Sequence, residues 1–168
     1  MIKIRQENPI ASELAAIREV NKRAFGQDQE ANIVDALRTN GALLDSFVAT
    51  LDEQIVGHIS YSPASIDTLI GAALGPMGVL PEHQRKGIGS QLVEVGNAAQ
   101  GNRECPFILV VGNPQYYSRF GFTRASFYGL FPEWKLPDDV FMVLVLDEKR
   151  MRGVSGLVKY RHEFSTVE

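Results

Sequence analysis

Hydrophobic positions along the chain change period several times. Ile2 to Arg5 alternates and predicts a short strand. From Ser12, Leu14, Ile17, Val20 and Ala24 recur at helical spacing, the stripe of an amphipathic helix. A second helix carries Ile33, Ala36 and Leu37 behind Asp28, whose carboxylate suits an N-cap, and stops at Gly41. Phe47–Leu51 and Ile55–Tyr61 then flank Asp52-Glu53-Gln54 as a hairpin. Ala72 to Leu80 reads as a longer strand. Ile88, Leu92, Val95 and Ala99 form a helical stripe closed by Gly101. Phe107–Val111 is a buried strand, Pro114–Phe120 a short helix with proline in its first turn, and Phe141–Leu146 another strand. Gly153 to Phe164 adds an edge strand. Runs of strands between helices predict a mixed sheet with helices on both faces. Residues 1–168 show no repeat, linker or low-complexity tract, and read as a single α/β (α+β) domain.

Composition narrows the partners. The 168 residues are 45% hydrophobic and 22% charged, which suits a soluble chain with a sizeable core. A net charge of −3 excludes a general polyanion binder, so no nucleic-acid partner is expected. Lys149–Arg152 is too short a basic run to change that and reads as a solvated loop. No apolar run reaches bilayer length and no leader pattern opens the chain, so the protein reads as cytoplasmic, with no membrane partner. The single Cys105 excludes an internal disulfide framework and reads as an unremarkable thiol. His58, His83 and His162 lack ligand spacing, so no metal is expected.

Any positive charge that matters must therefore be local, and one place stands out. Gln84-Arg85-Lys86-Gly87-Ile88-Gly89-Ser90 lies between the Ala72–Leu80 strand and a helix start. The first N–H groups of a helix have no intrahelical acceptor, and the helix dipole favours negative charge there. Glycines let a backbone approach closely, while Arg85 and Lys86 add charge. The arrangement suits phosphate. It is not a P-loop, because Gly-x-x-x-x-Gly-Lys-Ser/Thr does not occur, and not a dinucleotide fingerprint, because Leu92 stands where the third glycine belongs.

The spacing Gln-x-x-Gly-x-Gly resembles the coenzyme A pyrophosphate loop of the GNAT N-acetyltransferases. A second stretch, Val110 to Phe122 (VVGNPQYYSRFGF), resembles the later motif of the same family: a strand, a polar residue, a short helix with an aromatic-tyrosine pair, then Gly-Phe. The resemblance covers Ile2 to Leu146. The segments GHISYSP and GVSGLVKY are similar to a bacterial subgroup of predicted acetyltransferases with unassigned substrates.

The resemblance implies a mostly antiparallel sheet that splits like a V where Ala72–Leu80 parts from the parallel strand Phe107–Val111. Pantetheine would run along Met77, Gly78 and Val79, with Gly75, Pro76 and Gly78 fitting a bulged strand. The loop Gln84–Ser90 would hold the pyrophosphate, and Asn113 and Tyr116 would contact pantetheine, Tyr116 alternatively turning to the core. The implied reaction is direct transfer of an acetyl group from acetyl-CoA to a primary amine, in a small molecule or a peptide. It uses a backbone N–H near Met77 or Gly78 for the oxyanion and Tyr117 as acid for the leaving thiolate. Three candidates remain for the base: Glu30 at the second helix start, His58 in the hairpin, or water. Glu30 serves either helix-start electrostatics or the acceptor, and His58 either catalysis or a structural hydrogen bond. A non-catalytic acyl-CoA sensor of the same fold is the alternative, and a homodimer is compatible with the family.

Overall fold

The computed structural model describes residues 1–166. Nine strands and five helices follow in order: β1 (Ile2–Gln6), α1 (Ala11–Phe25), α2 (Gln29–Thr39), β2 (Asp45–Leu51), β3 (Gln54–Ile66), β4 (Leu69–Val79), α3 (Ile88–Asn102), β5 (Phe107–Val111), α4 (Pro114–Tyr117), β6 (Thr123–Arg124), β7 (Leu130–Phe131), β8 (Phe141–Val145), α5 (Glu148–Met151) and β9 (Gly156–Lys159). Two compact units emerge. The first holds Met1–Ser62, Gly75–Gly96 and the chain from His162; the second holds Pro63–Leu74 and Asn97–Arg161. Both β3 and β4 contribute to each.

In the first unit β1 pairs antiparallel with β2, from Ile2↔Leu51 to Gln6↔Phe47, and β2 with β3, from Asp45↔Tyr61 to Leu51↔Gln54. The hairpin loop is two residues long. Asp52 and Glu53 both take positive φ, 50° and 68°, the backbone that matches the twist of a tight hairpin. Adjacent strand residues point to opposite faces. His58 points to Asn21 of α1, whereas an added Cβ at Gly57 would touch Leu92 and Ile88 of α3 at 3.1 and 3.3 Å. Helices α1 and α3 therefore cover opposite faces of this unit's sheet. Ile17 of α1, Val34 of α2 and Val48 of β2 form one buried cluster. Ile33, Leu37 and Ala42 form another, against which Phe164 packs.

Three local expectations change. Asp28 occupies the residue before α2 but has helical backbone (φ −87°, ψ −14°) and no side-chain cap bond. A capping carboxylate needs extended backbone to reach the N–H groups of the next turn. Asp28 instead stands 3.8 Å from both Arg18 and Lys22. Val95 is 37% exposed, and the buried row of α3 runs through Ile88, Leu92 and Gly96. A side chain at Gly96 would collide with the ring of Tyr61, so the closest approach of helix and strand uses a residue that carries no hydrophobic signal. Gly101 lies inside α3, which ends at Asn102; Glu104, just beyond, adopts φ 60° and donates its N–H to the Gly101 carbonyl at 3.0 Å.

In the second unit β4 pairs in parallel with β5 through Ala72↔Ile108 and Ala73↔Leu109. That short ladder matches the parting strand pair the resemblance implies. β5 pairs antiparallel with β8, and β8 with β6. Strand β9 has neighbours on both sides, β3 (Ile66↔Val158) and β7 (Leu130↔Gly156), so it is not the edge strand expected. β3 also runs five residues past the expected Tyr61, continuing through Pro63, which brings no N–H to a ladder and reads in sequence as a stop. Phe107, Leu109, Phe141, Val143, Leu130 and Val158 centre this unit's core.

Candidate active site

Strand β4 enters the Gln84–Ser90 loop through a 3-10 turn, Pro81–His83, with the Leu80 N–H bonded to the Val56 carbonyl at 2.9 Å. The Gln84 side-chain amide donates back to the Val79 carbonyl at 2.9 Å, so this residue holds the loop to the strand. Arg85 and Gly87 take positive φ, 63° and 82°. The first intrahelical bond of α3 runs from Gln91 N–H to the Gly87 carbonyl at 3.1 Å. The N–H groups of Ile88 and Gly89 precede it and point out of the helix start. Arg85 and Lys86 are exposed beside them. Left-handed turns, a helix start and two exposed cations in one loop are the features that suit an anion.

Gly75 of β4 has φ 132° and is joined to Pro76 by a cis peptide; Ser60 donates its hydroxyl to the Pro76 carbonyl at 3.0 Å. Met77, Gly78 and Val79 follow. A Cβ at Gly78 would stand 2.9 Å from Ala24 Cβ on α1, so the helix approaches the strand here as only glycine permits.

The structure buries His58 among polar partners. It is 0% exposed, with Nδ1 3.1 Å from the Asn21 amide nitrogen and Nε2 2.8 Å from Ser46 Oγ. Burial first, and then the Arg38 charge, lower its pKa from about 6.5 to about 3. Folded chain therefore binds fewer protons than unfolded chain between these values. Stability is fully present above about pH 6.5 and is lost as pH falls toward 3, with a slope approaching about 1.4 kcal/mol per pH unit. Urea unfolding at pH 7, 5.5 and 4.5 checks this. His58→Gln is expected to flatten the acid limb, and an unchanged slope would assign the acid sensitivity elsewhere.

The adjacent pair Tyr116-Tyr117 lies in the second unit. Asn113 begins α4, its Oδ1 accepting the Gln115 N–H at 2.9 Å. The cap engages this oxygen, and the side chain is otherwise exposed. Tyr117 is 8% exposed and packs edge-on against Tyr116 (centroids 5.0 Å apart) and Phe122 (5.7 Å). Gly112 leaves room for its ring. Burial, and secondarily Tyr116, push the phenol up from its ordinary value, so it keeps its proton at neutral pH. Tyr116 is half-buried and carries the Arg119 guanidinium 5.3 Å above its ring.

Glu30 sits in the first turn of α2, half-buried, accepting from the Gln27 amide at 3.1 and 3.3 Å. Among the described residues no group of three His, Cys, Asp or Glu side chains is placed to hold a metal ion, and no helix is long and apolar enough to cross a membrane.

Sequence reasoning missed Asn21, Ser46, Glu7 and Arg38, which tie to His58 through hydrogen bonds. One signal existed: a histidine in a strand that reads as buried on both faces requires polar partners. Which partners is decided across 12 to 37 residues of sequence separation.

Comparison with known proteins agrees with this geometry. The family described as Acetyltransferase (GNAT) domain matches residues 44–124. The chain is 33% identical over 165 residues to the uncharacterized N-acetyltransferase YhbS of Escherichia coli strain K12, covering 96% of this chain and 98% of that one. It superposes on a crystal structure of E. coli YhbS in complex with CoA with a TM-score of 0.92 at 32% identity, covering 98% of this chain and 92% of that one. A GNAT family acetyltransferase from Brucella melitensis in complex with acetyl-CoA gives a TM-score of 0.80 at 34% identity, with 98% of each chain covered.

Proposed function

The chain belongs to the GNAT N-acetyltransferase family, and we propose that it transfers an acetyl group from acetyl-CoA to a primary amine. The observation that carries this reading is the α3 start, where the left-handed Arg85 and Gly87, the first helix N–H groups and the exposed Arg85–Lys86 pair fall within one short loop. The relatives in complex with CoA and acetyl-CoA support it. Pyrophosphate binds the N–H groups of the Gly87–Ser90 turn with Arg85 and Lys86, while Gln84 shapes the loop from behind. The resemblance assigns pantetheine to Met77–Val79 in the first unit, and names Asn113 and Tyr116 of the second as its contacts.

The amine loses a proton and attacks the acetyl carbonyl carbon. A C–N bond forms, the oxyanion takes a backbone N–H near Met77 or Gly78, and the C–S bond then breaks. Tyr117 donates a hydrogen bond to the departing thiolate, which leaves as the thiolate or takes a proton from solvent. Glu30 receives the amine proton directly or through water; buried His58 does not take part. Acetyl-CoA is expected to raise the melting temperature of the wild-type chain, because a ligand bound only by the folded state must do so. A screen of primary amines, followed by release of free CoA thiol, identifies the acceptor and separates an enzyme from a sensor. Glu30→Gln is expected to raise the amine KM or lower kcat by about tenfold or more while acetyl-CoA affinity stays within about twofold. Equal losses for both substrates would show a damaged helix start instead.

A further inference from the structure

Proline removes a backbone donor from the middle of β4. Pro76 has no N–H, and its carbonyl accepts the Ser60 hydroxyl of β3 at 3.0 Å. Ser60 is fully buried, on the strand face it shares with His58. A trans peptide is planar, and its C=O and N–H point in opposite directions. The Pro76–Met77 peptide is trans, the cis bond of this stretch being Gly75–Pro76. With its carbonyl turned to Ser60 on β3, this peptide directs the Met77 N–H away from β3.

A second bond gives the same direction from the far end of the strand. The Leu80 N–H donates to the Val56 carbonyl of β3 at 2.9 Å. Along a strand, N–H groups alternate between its two edges. Counting back from Leu80, the Gly78 N–H faces β3, whereas the Val79 and Met77 N–H groups face the opposite edge. The ladder of β4 to β5 runs through Ala72 and Ala73, earlier in the strand than this stretch.

We propose that Ser60 is a positioning residue for acetyl transfer: by holding the Pro76 carbonyl, it aims the Met77 N–H at the oxygen of the acetyl group. This rests on the acetyltransferase reading above, and it selects Met77 over Gly78 as the donor to the oxyanion. The acetyl oxygen gains negative charge as the amine adds, and a donor fixed beforehand needs no reorientation at that moment. Gly75, at φ 132°, and Gly78 flank the peptide with backbone that no Cβ restrains, so a contact from outside β4 is what holds it. A hydroxyl bonded to the carbonyl also polarises the peptide and strengthens its N–H as a donor. Ser60 acts through this one peptide and not on the reacting atoms.

The test requires no acceptor amine. Acetyl-CoA with carbon-13 at its thioester carbonyl is bound to the chain, and isotope-edited infrared difference spectra read the stretch of that carbonyl. A hydrogen-bond donor at the oxygen lowers this stretch. The bound stretch is expected to lie lower in wild type than in Ser60→Ala, with acetyl-CoA affinity, read by calorimetry, within about threefold. Ser60→Thr keeps the hydroxyl and is expected to return the stretch to its wild-type position. Met77→Pro deletes the N–H itself, at a position facing away from β3 where a strand tolerates proline, and is expected to raise the stretch at least as far. Combining Ser60→Ala with Met77→Pro is expected to match Met77→Pro alone, because Ser60 acts through that N–H. A stretch unchanged in Ser60→Ala or in Met77→Pro, or two shifts that simply add in the double variant, overturns the proposal. Ser60→Cys, similar in size and a weak donor, takes the place of Ser60→Ala if that chain does not fold. A wild-type melt that acetyl-CoA does not shift refutes the acetyltransferase reading itself. A shifted melt with the same stretch in every variant refutes the Ser60 assignment alone.

Discussion

Tyr117→Phe is expected to lower kcat by roughly ten- to a thousandfold, the scale of a lost general acid or of one lost charge-stabilising donor. The ring stays. Its edge-on contacts with Tyr116 and Phe122, and its place over Gly112, are made by carbon atoms that phenylalanine keeps. Only the hydroxyl goes, so folding and acetyl-CoA affinity are expected to change far less. Burial raises this phenol further above a thiol, whose ordinary pKa is about 8.5. Complete transfer of the proton to the thiolate is therefore uphill. A hydrogen bond that strengthens as sulfur gains charge still lowers the barrier, because it is stronger in the transition state than in the bound thioester. Tyr116→Phe is the control and is expected to be milder, since Tyr116 is half-buried and engages Arg119 through its ring face. The comparison belongs in single-turnover conditions, where chemistry limits the rate. Full turnover by Tyr117→Phe there would move the acid role to water or to Tyr116.

Gly87→Val is expected to abolish the acetyl-CoA-dependent rise in melting temperature while the chain remains folded. No atom stands within 4 Å of a Cβ placed on Gly87, so the substitution meets no steric wall. The obstacle is the backbone. Gly87 has φ 82°, a region that β-branched residues avoid at a cost of about 1–3 kcal/mol. Relieving that strain rotates the peptide ahead of Ile88, and the N–H groups at the α3 start no longer converge. The penalty falls on an exposed loop and leaves the buried Ile88 and Leu92 contacts of α3 in place. Calorimetric titration with acetyl-CoA is expected to show at least a hundredfold loss, about 2.7 kcal/mol. Retained affinity would mean that Arg85 and Lys86 hold the coenzyme without the shaped turn.

The features legible in the sequence were those written in neighbouring residues. The Gln84–Gly89 spacing lies at a strand-to-helix junction in the structure, as its glycines and cations required. The Asn113–Phe122 stretch forms its short helix because proline and an Asn cap act within three residues. The stripes of α1 and α2 bury Ile17, Val20, Ile33 and Leu37, because an amphipathic face needs only a period to declare itself. Asp28 was misplaced as a cap because capping depends on a backbone angle that composition does not carry. Gly96 was overlooked because its role is to be small against Tyr61, and only the packed helix shows what a side chain would strike.

His58 illustrates the remaining division. Its reference pKa made it a candidate base, since an isolated imidazole titrates near neutrality. Burial between Asn21 and Ser46 removes it from that role, because desolvation disfavours the imidazolium far more than any local sequence preference can restore. By itself the sequence determined the glycine-rich loop at a strand-to-helix junction, the adjacent tyrosine pair and the periods of the elements, since each is a property of residues a few positions apart. Tertiary structure alone decided which groups surround His58 and which β4 carbonyl Ser60 holds. Each is a contact between residues 12 to 37 positions apart, and these meet only when α1, β2, β3 and β4 are packed together.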